Sequence, residues 1–223
     1  MKIDFLLPCR IESEDRLRNV ITSVTYLLSR FPESKVILKE VDSHSHFRYR
    51  ALPSIKNYVD TSNLQHIFEE SEEKFFHKTK ILNDLLCESA SDVVYNYDVD
   101  VVVPSNSIVY SYDAISKNHC DVVYPFGCGV FQWAVDYSLE KMEKFISSNF
   151  DLEYVRSFSQ RQSSTVGWGQ MIKRDVYIDG YMWNENYGQF EYIAKLGLRV
   201  MCILCLSEAL KACTILIIAA SRN

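Results

Sequence analysis

Glycine is scarce in this chain. There are 7 in 223 residues, and none precedes Gly127. A glycine-rich loop that lets backbone amides cradle phosphates early in the chain is therefore excluded. Proline is equally sparse, at 5 residues, and no Pro/Gly-rich linker, internal repeat or low-complexity tract divides the sequence. Basic residues are in deficit, 24 Lys and Arg against 29 Asp and Glu. That balance argues against a nucleic-acid binder, which needs a basic surface. No apolar run reaches the roughly 18 residues of a membrane span. The nearest, Met201–Ala220, is broken by Ser207, Glu208 and Lys211. No basic segment followed by an apolar run opens the chain, so no secretory leader is expected. Seven cysteines form no framework, which points to reduced thiols and a cytoplasmic setting. Cys202 and Cys205 make one CxxC, weak as a metal or redox signal because no second pair follows.

What is present is a large apolar fraction, 48%, with 24% charged residues, enough for a folded core. Apolar runs alternate with helical periodicity. Strands are expected at 3–7, 35–41, 92–97, 121–124 and 199–203. Helices are expected at 14–30, 75–89, 105–118, 141–149 and 189–196. This alternation predicts an α/β fold, a mostly parallel central sheet flanked by helices. Ligands of such sheets sit beyond the carboxyl ends of the strands, so the polar residues after each strand are the candidates.

After the first strand stands Arg10, a planar fork suited to an oxyanion, just before a helix that Ser13 is placed to cap. After the second come Glu40 and Asp42, placed to accept from ribose hydroxyls or a base N–H, or else solvated loop carboxylates. His44 and His46 follow at a spacing that would serve a metal pair on a strand, though in a polar loop it more often has no such meaning. The strongest signal is Tyr97-Asp98-Val99-Asp100-Val101 at the end of an apolar strand. Two carboxylates there repel one another and ask for a hard cation, Mg²⁺ or Mn²⁺; the competing reading is a turn with two capping acids. Further on, Gly167-Trp168-Gly169 combines close backbone approach with an apolar wall suited to a sugar face, although a Trp is more often core. Glu191 opens a predicted helix, where a carboxylate serves as general base or simply as favourable N-terminal charge.

Together, Phe5–Leu17, Phe76–Asn83, Asn96–Val101, Gly167–Gly169 and Asn184–Tyr187 resemble, in order, the GT-A glycosyltransferases, closest to family-2-like and galactosyltransferase-related bacterial and viral members. The likeness runs over about residues 3 to 200. It implies a single GT-A domain over 1–200, with a nucleotide-binding half at about 1–104 and an acceptor half at about 105–200, followed by an atypical apolar tail, 201–223. It implies a metal-dependent, inverting hexosyl transfer from a nucleotide-diphosphate sugar, first a UDP-sugar, to a glycan or other hydroxyl. Asp98 and Asp100 are then the metal ligands, Asp100 the more direct of the two and Asp98 nearer the ribose. Arg10, Glu40 or Asp42, Lys78 and Asn83 become nucleotide contacts. Trp168, Gly169 and Glu185 line the sugar and acceptor, and Glu191 is the base, with Glu185 the weaker candidate for that role. Relatives often add a late histidine or acid to the metal, whereas no histidine follows His119 here. The tail reads either as an apolar helix docked on the core or as a truncated or frame-altered end. Two alternatives stand beside transfer: a non-catalytic nucleotide-sugar or glycan binder, and a sugar nucleotidyltransferase, disfavoured by the missing early glycines. Peripheral contact with a membrane is left open.

Overall fold

The computed structural model describes residues 1–125, 132–162, 169–180, 200–202 and 215–219. The chain opens with β1 (Asp4–Cys9), whose six residues are all buried. Helix α1 (Glu14–Arg30) follows. Its start is fixed by Ser13, whose side chain accepts from the Arg16 N–H at 3.2 Å, with Glu14 and Asp15 in the first turn and Arg30 in the last. That arrangement caps an orphan donor and complements the helix dipole at both ends. Then come β2 (Lys35–Asp42), a π-turn at Phe47–Ala51, α2 (Leu52–Ile55), β3 (Leu64–Glu70), α3 (Lys78–Glu88) and β4 (Val93–Tyr97). The remainder is β5 (Val101–Val102), α4 (Ser105–Ser116), β6 (Val122–Tyr124), β7 (Gln132–Asp136), α5 (Leu139–Ser147), α6 (Leu152–Arg156), β8 (Ser159–Gln162), β9 (Gly169–Lys173), α7 (Arg174–Gly180), β10 (Val200–Cys202) and β11 (Ile215–Ala219).

The central sheet has the order β10-β6-β9-β4-β1-β2-β3. Six of its strands run parallel, and β9 alone runs against its neighbours β4 and β6. A second sheet, β5-β11-β7-β8, lies beside it. The expected α/β architecture is thus the one found. Within the tail, where an apolar helix is one expectation and 203–214 and 220–223 lie outside the described residues, Ile215–Ala219 forms a strand that pairs with β5 and β7. Its β-branched run favours an extended chain.

The segment after β4 is clamped from three sides. The Ser23 hydroxyl, from α1, lies 2.8 Å from the Val99 carbonyl and 3.1 Å from that of Val101. Tyr26, also from α1, donates to the Val103 carbonyl at 2.7 Å. Tyr97 donates to the Val101 carbonyl at 3.0 Å and accepts from the Val103 N–H at 3.3 Å. All three side chains are buried. Buried backbone groups that cannot reach a regular ladder are satisfied here by side chains, and the turn that carries Asp98 and Asp100 is fixed as a result.

Candidate active site

At the carboxyl ends of β1 and β4 a cleft of about 190 Å³ opens between Pro8, Arg10, Arg16, Phe76, Lys78 and the turn Asp98-Val99-Asp100. Strand ends place the first and last of these. The start of α1 presents Arg16, and the first residue of α3 presents Lys78. Lys78 forms an ion pair with Asp98. Among the described residues Asp100 has no ion-pair partner. Burial raises its carboxyl above the ordinary range, and the neighbouring Asp98 charge raises it further, while Arg16 and Lys78 pull the other way. Two adjacent carboxylates, one of them destabilised as an anion, form a donor set that suits a hard divalent cation. Such an ion would take Asp98 and Asp100 as ligands, its other positions left to ligand oxygens, since the described residues hold no group of three or more His, Cys, Asp or Glu able to bind a metal.

The sequence candidates separate into three groups. Arg10, Lys78, Asp98 and Asp100 are brought together around this cleft. Glu40, Asp42 and Asn83 do not line it. Glu40 is fully buried and accepts from Ser45 Oγ at 2.6 Å and the Phe47 N–H at 2.8 Å, with His66 Nε2 at 3.1 Å. Burial works against its charge, but the bonds from His66, Ser45 and Phe47 outweigh burial and hold its carboxyl below the ordinary range. It is an internal anchor for the π-turn. Asp42 accepts from the Ile11 N–H at 3.1 Å and the Ser43 N–H at 2.8 Å, tying the exit of β1 to that of β2. Asn83 is buried on α3. Trp168, Glu185 and Glu191 lie outside the described residues.

Gly169 makes a close backbone approach within its own sheet, to Asn96 of β4. Its φ is +116°, and a Cβ built on it would stand 2.1 Å from the Asn96 carbonyl oxygen. The rings of His44 and His46 lie 3.9 Å apart, and among the described residues they belong to no group of three or more metal-ligating side chains. Cys202 belongs to β10, while Cys205 lies outside the described residues. Arg16 and Phe76 are cleft residues that the sequence reading passed over. Arg16 reads as an ordinary polar position of an amphipathic helix, and only its place three residues after the capping Ser13 marks it as facing the strand ends. A roomier hollow of about 660 Å³ opens at the other end of β4, beside Asp92 and Lys173. Its Lys173 is already bonded to Asn118 and Asp121, at 2.9 Å each.

No protein-family model and no curated protein matches the sequence. Solved structures do match the fold. TarS 1-349 of S. aureus is 16% identical with a TM-score of 0.52, over 91% of this chain and 58% of that one. The mannosyltransferase PcManGT of Pyrobaculum calidifontis, in complex with GDP-Man and Mn²⁺, is 12% identical with a TM-score of 0.58, over 90% of this chain and 54% of that one. The bifunctional IspDF of Campylobacter jejuni is 15% identical with a TM-score of 0.50, over 96% of this chain and 55% of that one. The chain has the GT-A fold. It spans little more than half the length of each of these structures, and at these identities the likeness is one of fold. Among the described residues, no helix is long and apolar enough to cross a membrane.

Proposed function

We propose that this GT-A chain is a metal-dependent glycosyltransferase that moves a sugar from a nucleotide-diphosphate donor, first a UDP-sugar, to an acceptor hydroxyl with inversion. The observation that carries the reading is the turn Asp98-Val99-Asp100. It stands at the carboxyl end of the central sheet, is clamped by Ser23, Tyr26 and Tyr97, and faces a cleft furnished with cationic side chains. Mn²⁺ or Mg²⁺ held by Asp98 and Asp100 would supply Lewis-acid neutralisation of the diphosphate. Lys78 is placed to hold the charge that develops on the same group as the glycosidic bond breaks. Glu191 is the proposed base, taking the acceptor hydroxyl proton as that oxygen attacks the anomeric carbon, and Trp168 the proposed wall for the sugar ring. Both roles rest on sequence position, with Glu185 the lesser candidate near the acceptor. The nucleotide half is assigned to 1–104 and the acceptor half to 105–200.

The test is turnover of a panel of nucleotide sugars with Mn²⁺, together with calorimetry of the matching nucleoside diphosphates. Asp100→Ala is expected to abolish metal-dependent nucleotide binding. Glu191→Gln is expected to spare binding and remove transfer. Tight donor binding without turnover would shift the assignment to a non-catalytic nucleotide-sugar binder. Absence of both across the panel would refute the reading.

A further inference from the structure

Two arginines line the cleft, and they are committed very differently. Arg10 is only 8% exposed. Its Nε donates to the Val41 carbonyl at 2.9 Å and its Nη1 to the Lys74 carbonyl at 3.3 Å, while its guanidinium lies 5.6 Å from the centre of the Phe76 ring. Two of its three nitrogens thus bind backbone, and its plane is packed on an aromatic face. Those contacts join the end of β2 to the segment 71–77 before α3. Arg10 is a brace.

Arg16 is the opposite case. Its side chain is 47% exposed, and its one ion pair among the described residues is a loose one, to the exposed Glu12 at 3.6 Å. Such a pair contributes little. The backbone beneath it is fixed, because the Arg16 N–H is the group capped by Ser13. The side chain therefore leaves the first turn of a 17-residue helix, whose N-terminal end adds its own positive field. The third cation of the cleft, Lys78, is already paired with Asp98.

We propose that Arg16, and not Arg10, is the arginine that binds the phosphates of the donor and of the departing nucleoside diphosphate. This deepens the glycosyltransferase reading and rests on it. An uncommitted planar fork beside two aspartates is suited to grip a diphosphate bidentately once a metal ion neutralises those aspartates. Arg10 contributes indirectly, by holding Phe76 and the loop in front of Lys78 in place.

The experiment is calorimetric titration of UDP, GDP and ADP, each with Mn²⁺, into wild type, Arg16→Gln, Arg16→Lys and Arg10→Gln, at two salt concentrations, with melting temperatures recorded alongside. Arg16→Gln is expected to melt like wild type, to bind the preferred diphosphate about 10- to 100-fold more weakly, and to show a flatter salt dependence. Arg16→Lys restores charge without the fork and should recover part of the loss. Arg10→Gln should lower the melting temperature. Binding to Arg16→Gln that equals wild type, or a weakened affinity with unchanged salt dependence, would overturn the role of Arg16 and leave the proposed function standing. No diphosphate bound by wild type would overturn both.

Discussion

Replacing Gly169 by alanine tests the packing that supports the aspartate turn. Gly169 begins β9 and stands opposite Tyr97, the last residue of β4, in the antiparallel ladder. Its φ of +116° is a conformation that side-chain-bearing residues rarely adopt. The added Cβ would meet the Asn96 carbonyl oxygen at 2.1 Å, the Asn96 carbonyl carbon at 3.2 Å and Tyr95 Cε2 at 3.1 Å. The nearest of these lies more than about 1 Å inside ordinary contact and is backbone of a central strand. Strand β4 cannot retreat, because its other edge is hydrogen-bonded to β1. The start of β9 must therefore move away. The unfavourable backbone angle costs about 1–3 kcal/mol. Loosening one or two ladder hydrogen bonds adds about 1 kcal/mol each. A total of about 2–5 kcal/mol is a large share of the roughly 5–15 kcal/mol that holds a domain together. Urea unfolding followed by far-UV circular dichroism is the assay, with an unchanged slope expected and the midpoint displaced downward. In a chain of this size the loss corresponds to a melting temperature lower by roughly 10 °C. Stability of Gly169→Ala within about 0.5 kcal/mol of wild type would refute the argument, since ordinary surface substitutions lie in that range.

Two further outcomes follow from the ion pairs. Lys78→Met removes the cation paired with Asp98 and should tighten binding of Mn²⁺ alone by about 3- to 10-fold, read as loss of the free-ion signal in electron paramagnetic resonance. Lys80→Met removes the same charge two residues along, from a side chain whose ion pair is with Glu69 at 3.9 Å, and should leave that affinity nearly unchanged. Equal effects from the two would reduce the Lys78 contact to a general charge effect. Glu40→Gln should destabilise the fold by about 1–3 kcal/mol at pH 7, because a buried acceptor of three donors is impaired. The Glu40 carboxyl titrates below its ordinary range in the folded chain, so its stabilisation is complete above that range and is lost as pH falls through the folded value. The gap between wild type and Glu40→Gln in urea midpoint should therefore narrow below about pH 4, and a gap that widened in acid would contradict the sign.

Much of the frame could be read from periodicity. The apolar stripe from Leu17 to Leu27 and the Ser13 cap define α1 with the boundaries observed, Glu14–Arg30. The buried strands β1, β2 and β4 stand out as apolar runs because helices or strands cover both their faces. Strand β3 does not stand out. Among the described residues it pairs only with β2, at the sheet edge, and Leu64–Glu70 is mostly half-exposed and mixed in polarity. The second sheet was hidden for another reason. Strand β5 has two residues and pairs with β11 more than a hundred positions on, and β8 has only four polar residues, so no local pattern encodes them. The site divides in the same way. Asp98, Asp100, Lys78 and Arg10 follow from their positions at element ends. The internal bonds of Glu40 are not legible in the sequence, because its partner His66 sits on β3, which has no local signal. The packing of Gly169 against Asn96 is hidden in the same way, because β9, the strand it starts, has no local signal either.

The electrostatics of the cleft bear on why an acidic chain would accept an acidic donor. The chain carries a formal −5, yet the cleft holds Arg10, Arg16 and Lys78 against Asp98 and Asp100, three positive charges against two negative. A diphosphate approaching alone meets both aspartates, and a divalent ion approaching alone meets three cations. Each is opposed by the charges that would welcome the other. With both present the balance reverses, since the ion answers the aspartates and the diphosphate gives Lys78 and Arg16 an anion in place of Asp98 and Glu12. At the separations of a small cleft, with water partly excluded, such terms amount to a few kcal/mol per pair. Under the proposed function, metal and donor should therefore bind with positive coupling. The size of that coupling should fall in Lys78→Met, whose aspartates are open to the ion before any phosphate arrives.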